Sequence, residues 1–164
     1  MKVTLPSDVK DTFVSMQSSI KERLTWVKQQ GENDLEIDDI DLDKTLLSIP
    51  KMHGKWLGIY TDEVHNLKNL YSLKDKIKLE RWKYYSGKQT DSYIAENGIV
   101  HEKILKTDID KYMAADPKLE LVDSCIMVQK SITDYIEKVM KELGNMGFHV
   151  KSIIEWRKFT SGAN

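Results

Sequence analysis

Apolar residues recur every three or four positions along the first part of the chain. Such spacing places side chains on one side of an α-helix. The stripe consists of Val9, Phe13, Met16, Ile20, Leu24 and Val27. Ser7 or Asp8 is a suitable N-cap and Gly31 a suitable end, so the pattern predicts a helix over residues 8–30.

An acidic segment follows this helix. Residues 32–43 carry seven carboxylates and an irregular apolar pattern, which together are typical of a linker or arm. The glycine and final glutamate of a calcium-binding loop do not occur at the required positions. Pro50 predicts a break between a short helix over residues 44–48 and a long helix over residues 51–85, which Gly87 ends.

The middle of the chain has the weakest periodicity. The Asn97-Gly98 pair stands between two short apolar runs, so it predicts one short β-hairpin near residues 93–100. A short helical piece is expected over residues 107–115, where Thr107 or Asp108 can begin it.

The C-terminal third has the longest regular apolar pattern. Asp116 and Pro117 are suited to be the N-cap and first residue of a helix. The pattern from there is nearly a heptad repeat. It comprises Leu121, Cys125, Val128, Ile132, Tyr135, Val139 and Leu143. Gly144 and Gly147 predict a turn, and a final helix over residues 148–160 carries Ile153 and Ile154.

These elements predict an all-α fold of long helices with a C-terminal helical hairpin. We divide the chain into an N-terminal helix and acidic arm (1–43), a basic long-helix region (44–110) and the C-terminal hairpin (111–164). The apolar seam of that hairpin, including Ile153 and Ile154, has two interpretations. It is either ordinary core within one chain or an oligomerisation surface, and we favour the second because few helices are available to cover it.

Composition narrows the class of protein. The chain has 164 residues, one cysteine and a formal net charge of −1. Without an apolar stretch near its start, no secretory signal or membrane span is expected. No P-loop, Rossmann glycine pattern or nucleophile elbow occurs, and no histidine has metal-ligand spacing. We therefore expect a non-enzymatic binding protein of a reducing compartment, with no metal and no cofactor.

Positive charge is concentrated in one segment. Residues 51–111 hold twelve basic and nine acidic side chains, whereas residues 1–50 hold six and ten. Helical geometry places Lys74, Lys78 and Arg81 in a narrow stripe with Tyr85. Cations that neutralise phosphates, next to an aromatic ring on which a base can stack, are the combination that single-stranded nucleic acid requires. The alternative is a solvated helix face.

The same segment carries a family resemblance. Arg81-Trp82-Lys83-Tyr84-Tyr85-Ser86-Gly87-Lys88 resembles the run of arginine, two variable positions, Tyr-Tyr-Ser-Gly and a basic residue in the UvsY recombination mediators of T4-like phages. Lys55-Trp56-Leu57, Ala115-Asp116 and the C-terminal helix from Gly147 to Gly162 resemble the family as well. The family has a lysine two positions before the arginine, where this chain has Leu79. The resemblance covers residues from about 38 onwards and leaves the first helix without a counterpart.

The resemblance implies a recombination mediator that binds single-stranded DNA and neither binds nor hydrolyses nucleotide. It implies homo-oligomeric rings of six or seven subunits, built through the C-terminal helices. Its partners would be a RecA-like phage recombinase and the single-strand-binding protein that coats the DNA, in the cytoplasm of the infected host. The DNA-binding residues predicted from the basic stripe and the motif are Lys74, Lys78, Arg81, Lys83, Tyr85 and Lys88.

A different class of function is compatible with the same pattern. A helical oligomeric adaptor without DNA binding would have the same apolar seam, and its lysines would serve only to keep the helix surface solvated. RNA binding is a third possibility, although no module that reads a 2′-hydroxyl is recognisable.

Overall fold

The computed structural model describes residues 7–98 and 104–162, and within these ranges the chain is all-α with no strand. The helices are α1 (Ser7–Asp34), α2 (Leu42–Tyr85), α3 (Asp91–Asn97), α4 (Ile109–Ala114) and α5 (Pro117–Thr160). None of them has an apolar stretch of the length that a bilayer crossing needs. The all-α prediction is confirmed.

The three long helices each contribute to two compact units. The first unit contains residues 7–22 with 66–98 and 104–130, as far as they are described, and the second contains residues 23–65 and 131–162. The core of the first unit is formed where one face of α2 packs on α1, α4 and the first half of α5. Its buried members are Phe13, Leu70, Ile77, Tyr84, Tyr85, Ile109, Met113, Leu119, Val122, Cys125 and Ile126.

In the second unit, the core follows the second half of α5. Its largest buried apolar side chains include Val27, Trp56, Ile132, Ile136, Val139, Leu143 and Val150. Asp34, the last residue of α1, accepts a hydrogen bond of 2.9 Å from the Trp56 indole and one of 2.7 Å from Lys55 Nζ. These bonds connect the end of α1 to α2 through both members of the Lys-Trp pair.

Two predicted helix boundaries are wrong because a glycine or proline inside a helix is tolerated. Helix α1 continues through Gly31, which lies against the Tyr135 ring. Helix α2 is continuous through Pro50. Asp41 caps it, with its carboxylate accepting from the Lys44 N–H at 3.0 Å. Pro50 itself is exposed, whereas Leu42 before it and Trp56 after it are buried, so the buried face of the helix continues past the proline despite the hydrogen bond that proline removes.

The predicted β-hairpin near 93–100 is also wrong as far as it is described, since residues 93–97 belong to α3. Thr90 caps this helix, and Gly98 ends it with φ of 83° and an N–H···O bond of 2.8 Å to Ile94. The Asn-Gly pair is therefore a helix C-terminus rather than a hairpin turn, because both structures use a glycine at positive φ. Residues 99 and 100, the second strand of the prediction, lie outside the described residues.

The C-terminal hairpin is replaced by one continuous helix. Gly144 and Gly147 lie inside α5, and the buried residues Leu143, Met146 and Val150 continue its apolar face past them. A glycine in a helix interior costs about 1 kcal/mol relative to alanine, which the burial of these side chains outweighs. The predicted helix beginning at Asp116 and Pro117 is confirmed, as is the short helix before it, now α4.

Candidate nucleic-acid interface

One face of the second half of α2 is exposed and predominantly basic. We call it the α2 basic face; it comprises Lys68, Tyr71, Lys76, Lys78, Leu79, Trp82 and Lys83, with one carboxylate, Asp75, among them. The residues Tyr71 and Trp82 are 46% and 37% exposed. Within the described residues, Lys76, Lys78 and Lys83 have no ion pair. Unpaired cations beside accessible rings can bind phosphates and bases together.

The end of α2 extends this face by one cation. Gly87 adopts φ of +69°, and the bonds from Lys88 N–H to Lys83 O (2.8 Å) and from Gly87 N–H to Tyr84 O (3.2 Å) form a Schellman motif. The chain thereby turns back, so that Lys88 Nζ lies 4.5 Å from the centroid of the Trp82 ring. A cation is thus held next to the exposed indole.

Arg81 faces the opposite way, into the first unit's core. Its side chain is 1% exposed and its Nε donates to Asp116 Oδ2 at 2.6 Å. The two terminal nitrogens donate to the hydroxyls of Tyr93 (3.2 Å) and Tyr85 (3.5 Å). The guanidinium carbon lies 4.3 Å from the centroid of the Tyr84 ring. Arg81 is therefore a buried cation surrounded by hydrogen-bond acceptors and aromatic faces.

Asp116 joins this cluster to the start of α5. Its Oδ2 also accepts the Tyr85 hydroxyl at 2.7 Å, while Oδ1 accepts the N–H groups of Lys118 (2.9 Å) and Leu119 (3.2 Å) as the N-cap of α5. One carboxylate thus caps a helix and pairs a buried cation, and both roles lower the cost of burying its charge.

A second carboxylate completes the network. Glu80 accepts from the Tyr93 hydroxyl at 2.6 Å and from Lys118 Nζ at 2.7 Å. Helices α2, α3 and α5 are consequently connected by one chain of charged and phenolic groups. We call it the Arg81 network; its members are Glu80, Arg81, Tyr85, Tyr93, Asp116 and Lys118.

Burial and charge pairing alter the titration of this network. Burial, together with the hydrogen bond to Asp116, raises the pKa of Tyr85 to about 12, and burial together with Glu80 does the same for Tyr93. Burial opposes the charged form of Arg81, but Tyr93 and Asp116 outweigh it and raise the pKa of the guanidinium. Burial likewise opposes ionisation of Glu80, yet the bonds from Lys118 and Tyr93 lower its pKa. Arg81 and Glu80 are therefore charged, and the phenols of Tyr85 and Tyr93 neutral, across the physiological range.

Lys74 lies in a different electrostatic environment from the α2 basic face. Its Nζ is 2.6 Å from Asp123 Oδ1. Together with Lys78 it lines a cavity of about 480 Å³, whose other walls include the carboxylates of Asp110, Glu120 and Asp123. The ion pair with Asp123 offsets the positive charge of Lys74, which is thus less available to a phosphate than Lys78, a lysine of the same cavity without an ion pair among the described residues.

The six predicted DNA-binding residues are therefore divided. Lys78, Lys83 and Lys88 are exposed, and Lys74 is ion-paired; Arg81 and Tyr85 are buried and have no surface to offer DNA in this conformation. Arg81 follows Ile77 by four positions and precedes Tyr84 by three, which is compatible with core spacing, but its helical phase also fits the stripe with Lys74 and Lys78. Its partner Asp116, 35 residues away, decides between the two and could not be read from the local sequence.

Comparison with known proteins identifies the family. The model of the family described as "Recombination, repair and ssDNA binding protein UvsY" matches residues 30–163. The chain belongs to the UvsY family. The match begins near the end of α1, so residues 7–29 of that helix lie outside it.

Crystal structures of a UvsY protein have the same fold. Three structures of the bacteriophage T4 recombination mediator protein UvsY, in lattice types I, II and IV, are each 19% identical to this chain. They cover 82%, 82% and 83% of it, and 98%, 94% and 98% of their own chains, with TM-scores of 0.69, 0.69 and 0.72. No curated protein was found to match by sequence.

The UvsY-like run at the end of α2 has an inner and an outer side. Arg81, Tyr84 and Tyr85 belong to the core, whereas Trp82 and Lys83 belong to the α2 basic face. The Ser-Gly pair that follows provides the Schellman turn. The resemblance thus rests largely on residues that build the end of the helix.

The nine predicted oligomerisation residues of this UvsY-family chain lie on α5. Cys125, Ile132, Val139 and Leu143 are buried within the chain, and Tyr135 donates to Lys28 O at 3.1 Å. The other four, Leu121, Val128, Ile153 and Ile154, are partly exposed.

Larger apolar groups are exposed near the end of α5. Phe148, Trp156 and Phe159 are 73%, 66% and 75% exposed, and the Trp156 and Phe159 ring centroids are 6.0 Å apart. We call these three residues the C-terminal ring cluster. Exposed aromatic rings as close as those of Trp156 and Phe159 are typical of a protein–protein contact, and Phe148 is exposed on the same helix about two to three turns earlier.

Proposed function

We propose that this chain is a recombination mediator that binds single-stranded DNA along the α2 basic face and acts as an oligomer. The observation that carries the proposal concerns α2, the helix that carries the UvsY-like run. On its exposed face, lysines that have no ion pair within the described part of the chain lie beside two exposed aromatic rings. Family membership supports the mediator role, and the chemistry of this face supports the strand as ligand.

The proposed contacts follow from the geometry of the helix. Tyr71 and Trp82 are eleven residues apart, about 16 Å along the axis. Bases stack on these two rings, while Lys78, Lys83 and Lys88 neutralise the phosphates between and beyond them. Because every base has a π-face and every nucleotide a phosphate, such a site has little sequence preference.

Assembly provides the affinity that one short face lacks. We propose that the C-terminal ring cluster, with Ile153 and Ile154 beside it, joins subunits into a ring of six or seven. Repeating the α2 basic face around a ring creates a high effective concentration of sites and multiplies affinity without new contacts.

The proposed partners are those of a mediator. The oligomer helps a RecA-like recombinase to replace the single-strand-binding protein on a coated strand, in the cytoplasm of the infected host. The oligomer itself need not bind or hydrolyse a nucleotide, because bending the DNA strand and presenting it to the recombinase require only binding.

Strand binding is tested with fluorescent oligo-dT over a salt series. We compare wild type with Lys78→Ala/Lys83→Ala and with the matched control Lys138→Ala/Lys141→Ala, which removes the same charge from exposed positions on α5. Each lost phosphate contact reduces the slope of log K against log salt by about 0.7 for a single strand. We expect the first double variant to flatten the slope by roughly 1.4 and the control to leave it unchanged.

Two results would count against the proposal. Equal effects of the two double variants would mean that only overall charge matters, not the α2 basic face. Oligomers that form without salt-dependent binding to oligo-dT would indicate the adaptor function instead. Recombinase filament growth on strands coated with single-strand-binding protein, measured with the same variants, then tests the mediator role separately.

A further inference from the structure

We infer that Arg81, the arginine of the UvsY-like run, is a positioning residue and not a DNA ligand: with Asp116 it holds the strand-binding end of α2 against α3 and α5. The inference rests on the proposed function, since it specifies how the α2 basic face is held in its binding orientation. It assigns to the most family-like cation of the segment a role different from that of the lysines around it.

The first argument is that the guanidinium is buried and each of its nitrogens already has an acceptor. Each of its three nitrogens already donates to an acceptor, Asp116, Tyr93 or Tyr85, and the residue is 0% exposed. The Tyr84 ring covers it from one face. A phosphate could reach Arg81 only by breaking the buried pair and leaving Asp116 without its cation, which is strongly unfavourable.

The second argument is that Asp116 has two structural tasks at once. Its two oxygens separately accept the buried pair with Arg81 and the first N–H groups of α5. The position of α2 at this point is therefore coupled to the first turn of α5. Tyr93 extends the coupling to α3, because its hydroxyl bridges Arg81 and Glu80.

The third argument concerns what this anchor orients. Trp82 and Lys83 follow Arg81 directly, and successive helix residues are separated by about 100°. Fixing Arg81 inward therefore fixes the directions in which Trp82 and Lys83 point outward. The same turn begins the Schellman motif that brings Lys88 over the Trp82 ring. Loss of the anchor would misorient the Trp82 ring and so lower affinity, while the lysines remain on the surface and continue to contact phosphates.

The test separates a lost phosphate contact from a lost anchor. Binding of the full chain to oligo-dT is measured across salt for Arg81→Gln, Asp116→Asn, the double variant Arg81→Gln/Asp116→Asn, and Lys83→Gln as the matched phosphate-contact control. Far-UV circular dichroism and urea unfolding at the same protein concentration identify the fraction of each variant that is folded.

If Arg81 is an anchor, each single network variant weakens binding by roughly tenfold or more, since each leaves one buried charge unpaired. Their salt slopes stay at the wild-type value. The double variant, which has a neutral pair, binds better than the product of the two single effects predicts. Lys83→Gln instead flattens the slope by about 0.7. Should Arg81→Gln fail to fold, Asp116→Asn and the double variant give the same comparison.

A different pattern overturns the inference. If Arg81→Gln or the double variant flattens the salt slope as Lys83→Gln does, Arg81 is a phosphate ligand. Asp116→Asn binding as tightly as wild type, or more tightly, would mean that freeing the guanidinium does no harm, which an anchor does not allow. Wild type without salt-dependent binding would remove the proposed function and this inference with it; the two earlier outcomes remove the inference alone.

Discussion

Replacing Gly31 by alanine should destabilise the second unit, although the same change in most helices is favourable. In a helix interior, alanine is more favourable than glycine by about 1 kcal/mol. At Gly31, however, a Cβ would lie 2.6 Å from the Tyr135 hydroxyl oxygen, 2.9 Å from Tyr135 Cε1 and 3.0 Å from Val139 Cγ2. Helices α1 and α5 approach each other so closely there that only a hydrogen atom fits.

The magnitude follows from what must move. Val139 is buried, so the Tyr135 ring must yield, and it then loses the 3.1 Å bond to Lys28 O. Overpacking costs about 1 to 3 kcal/mol and the lost hydrogen bond about 1 kcal/mol. After subtraction of the gain in helix propensity, Gly31→Ala should lower the free energy of unfolding by about 1 to 3 kcal/mol.

Gly144→Ala is the matched control, because Gly144 is also inside a long helix of this unit but has open space around its Cα. We expect that change to stabilise the protein by about 0.5 to 1 kcal/mol. Urea unfolding of both variants at one protein concentration measures the difference. In addition, Tyr135→Phe should be less costly in the Gly31→Ala background than alone, since it removes the oxygen closest to the new methyl group.

A Gly31→Ala variant as stable as Gly144→Ala would refute the reasoning. It would mean that α1 and α5 can separate at this point without cost, and that the close approach does not contribute to stability. Additive effects of Gly31→Ala and Tyr135→Phe would likewise exclude a direct clash between these two positions.

Three further expectations concern the rest of the molecule. The pKa values of Tyr85 and Tyr93 are raised from 10.0 to about 12, so these phenols stabilise the fold below pH 10 and lose that contribution as the pH rises towards 12. Unfolding and tyrosinate absorbance at 295 nm should therefore increase together, and replacing either tyrosine by Phe should weaken this dependence on pH. Gly87→Ala should cost about 1 to 2 kcal/mol because of the positive φ, and should weaken oligo-dT binding, whereas an unchanged melting temperature would contradict the Schellman assignment. Trp156→Asp with Phe159→Asp should reduce the subunit count in light scattering, and an intact oligomer would place the subunit contact elsewhere.

The sequence predicted the regular parts of this fold and missed what depends on distant contacts. Apolar periodicity found the long helices, because one buried face is the main determinant of an amphipathic helix. Punctuation by single residues was less reliable: Gly31, Pro50 and Gly144 all lie inside helices. Whether a glycine or proline ends a helix depends on the packing around it, and a partner such as Tyr135, 104 positions away, cannot be read from local sequence.

The candidate site shows the same division on a smaller scale. Lys78, Lys83 and Lys88 are exposed, as their charge and helical phase indicate, whereas Lys74 is partly buried and ion-paired with Asp123. The buried state of Arg81 and Tyr85 depends on Asp116 and Tyr93, which lie on other helices. The predicted stripe combined two groups that have similar helical phase but different environments. Where the buried and exposed faces of a helix meet, helical phase alone does not show whether a residue is buried or exposed.

This division changes how substitutions in the UvsY-like run should be interpreted. If the α2 basic face binds DNA as proposed, residues on the inner side, such as Arg81, act through the position of the helix, and their loss should lower affinity without changing how many phosphates are contacted. Residues on the outer side, such as Lys83 and Trp82, should then affect contacts directly. Affinity at one salt concentration cannot separate the two, because both kinds of variant bind more weakly. Only the salt dependence, which counts phosphate contacts, distinguishes the anchor from the ligand.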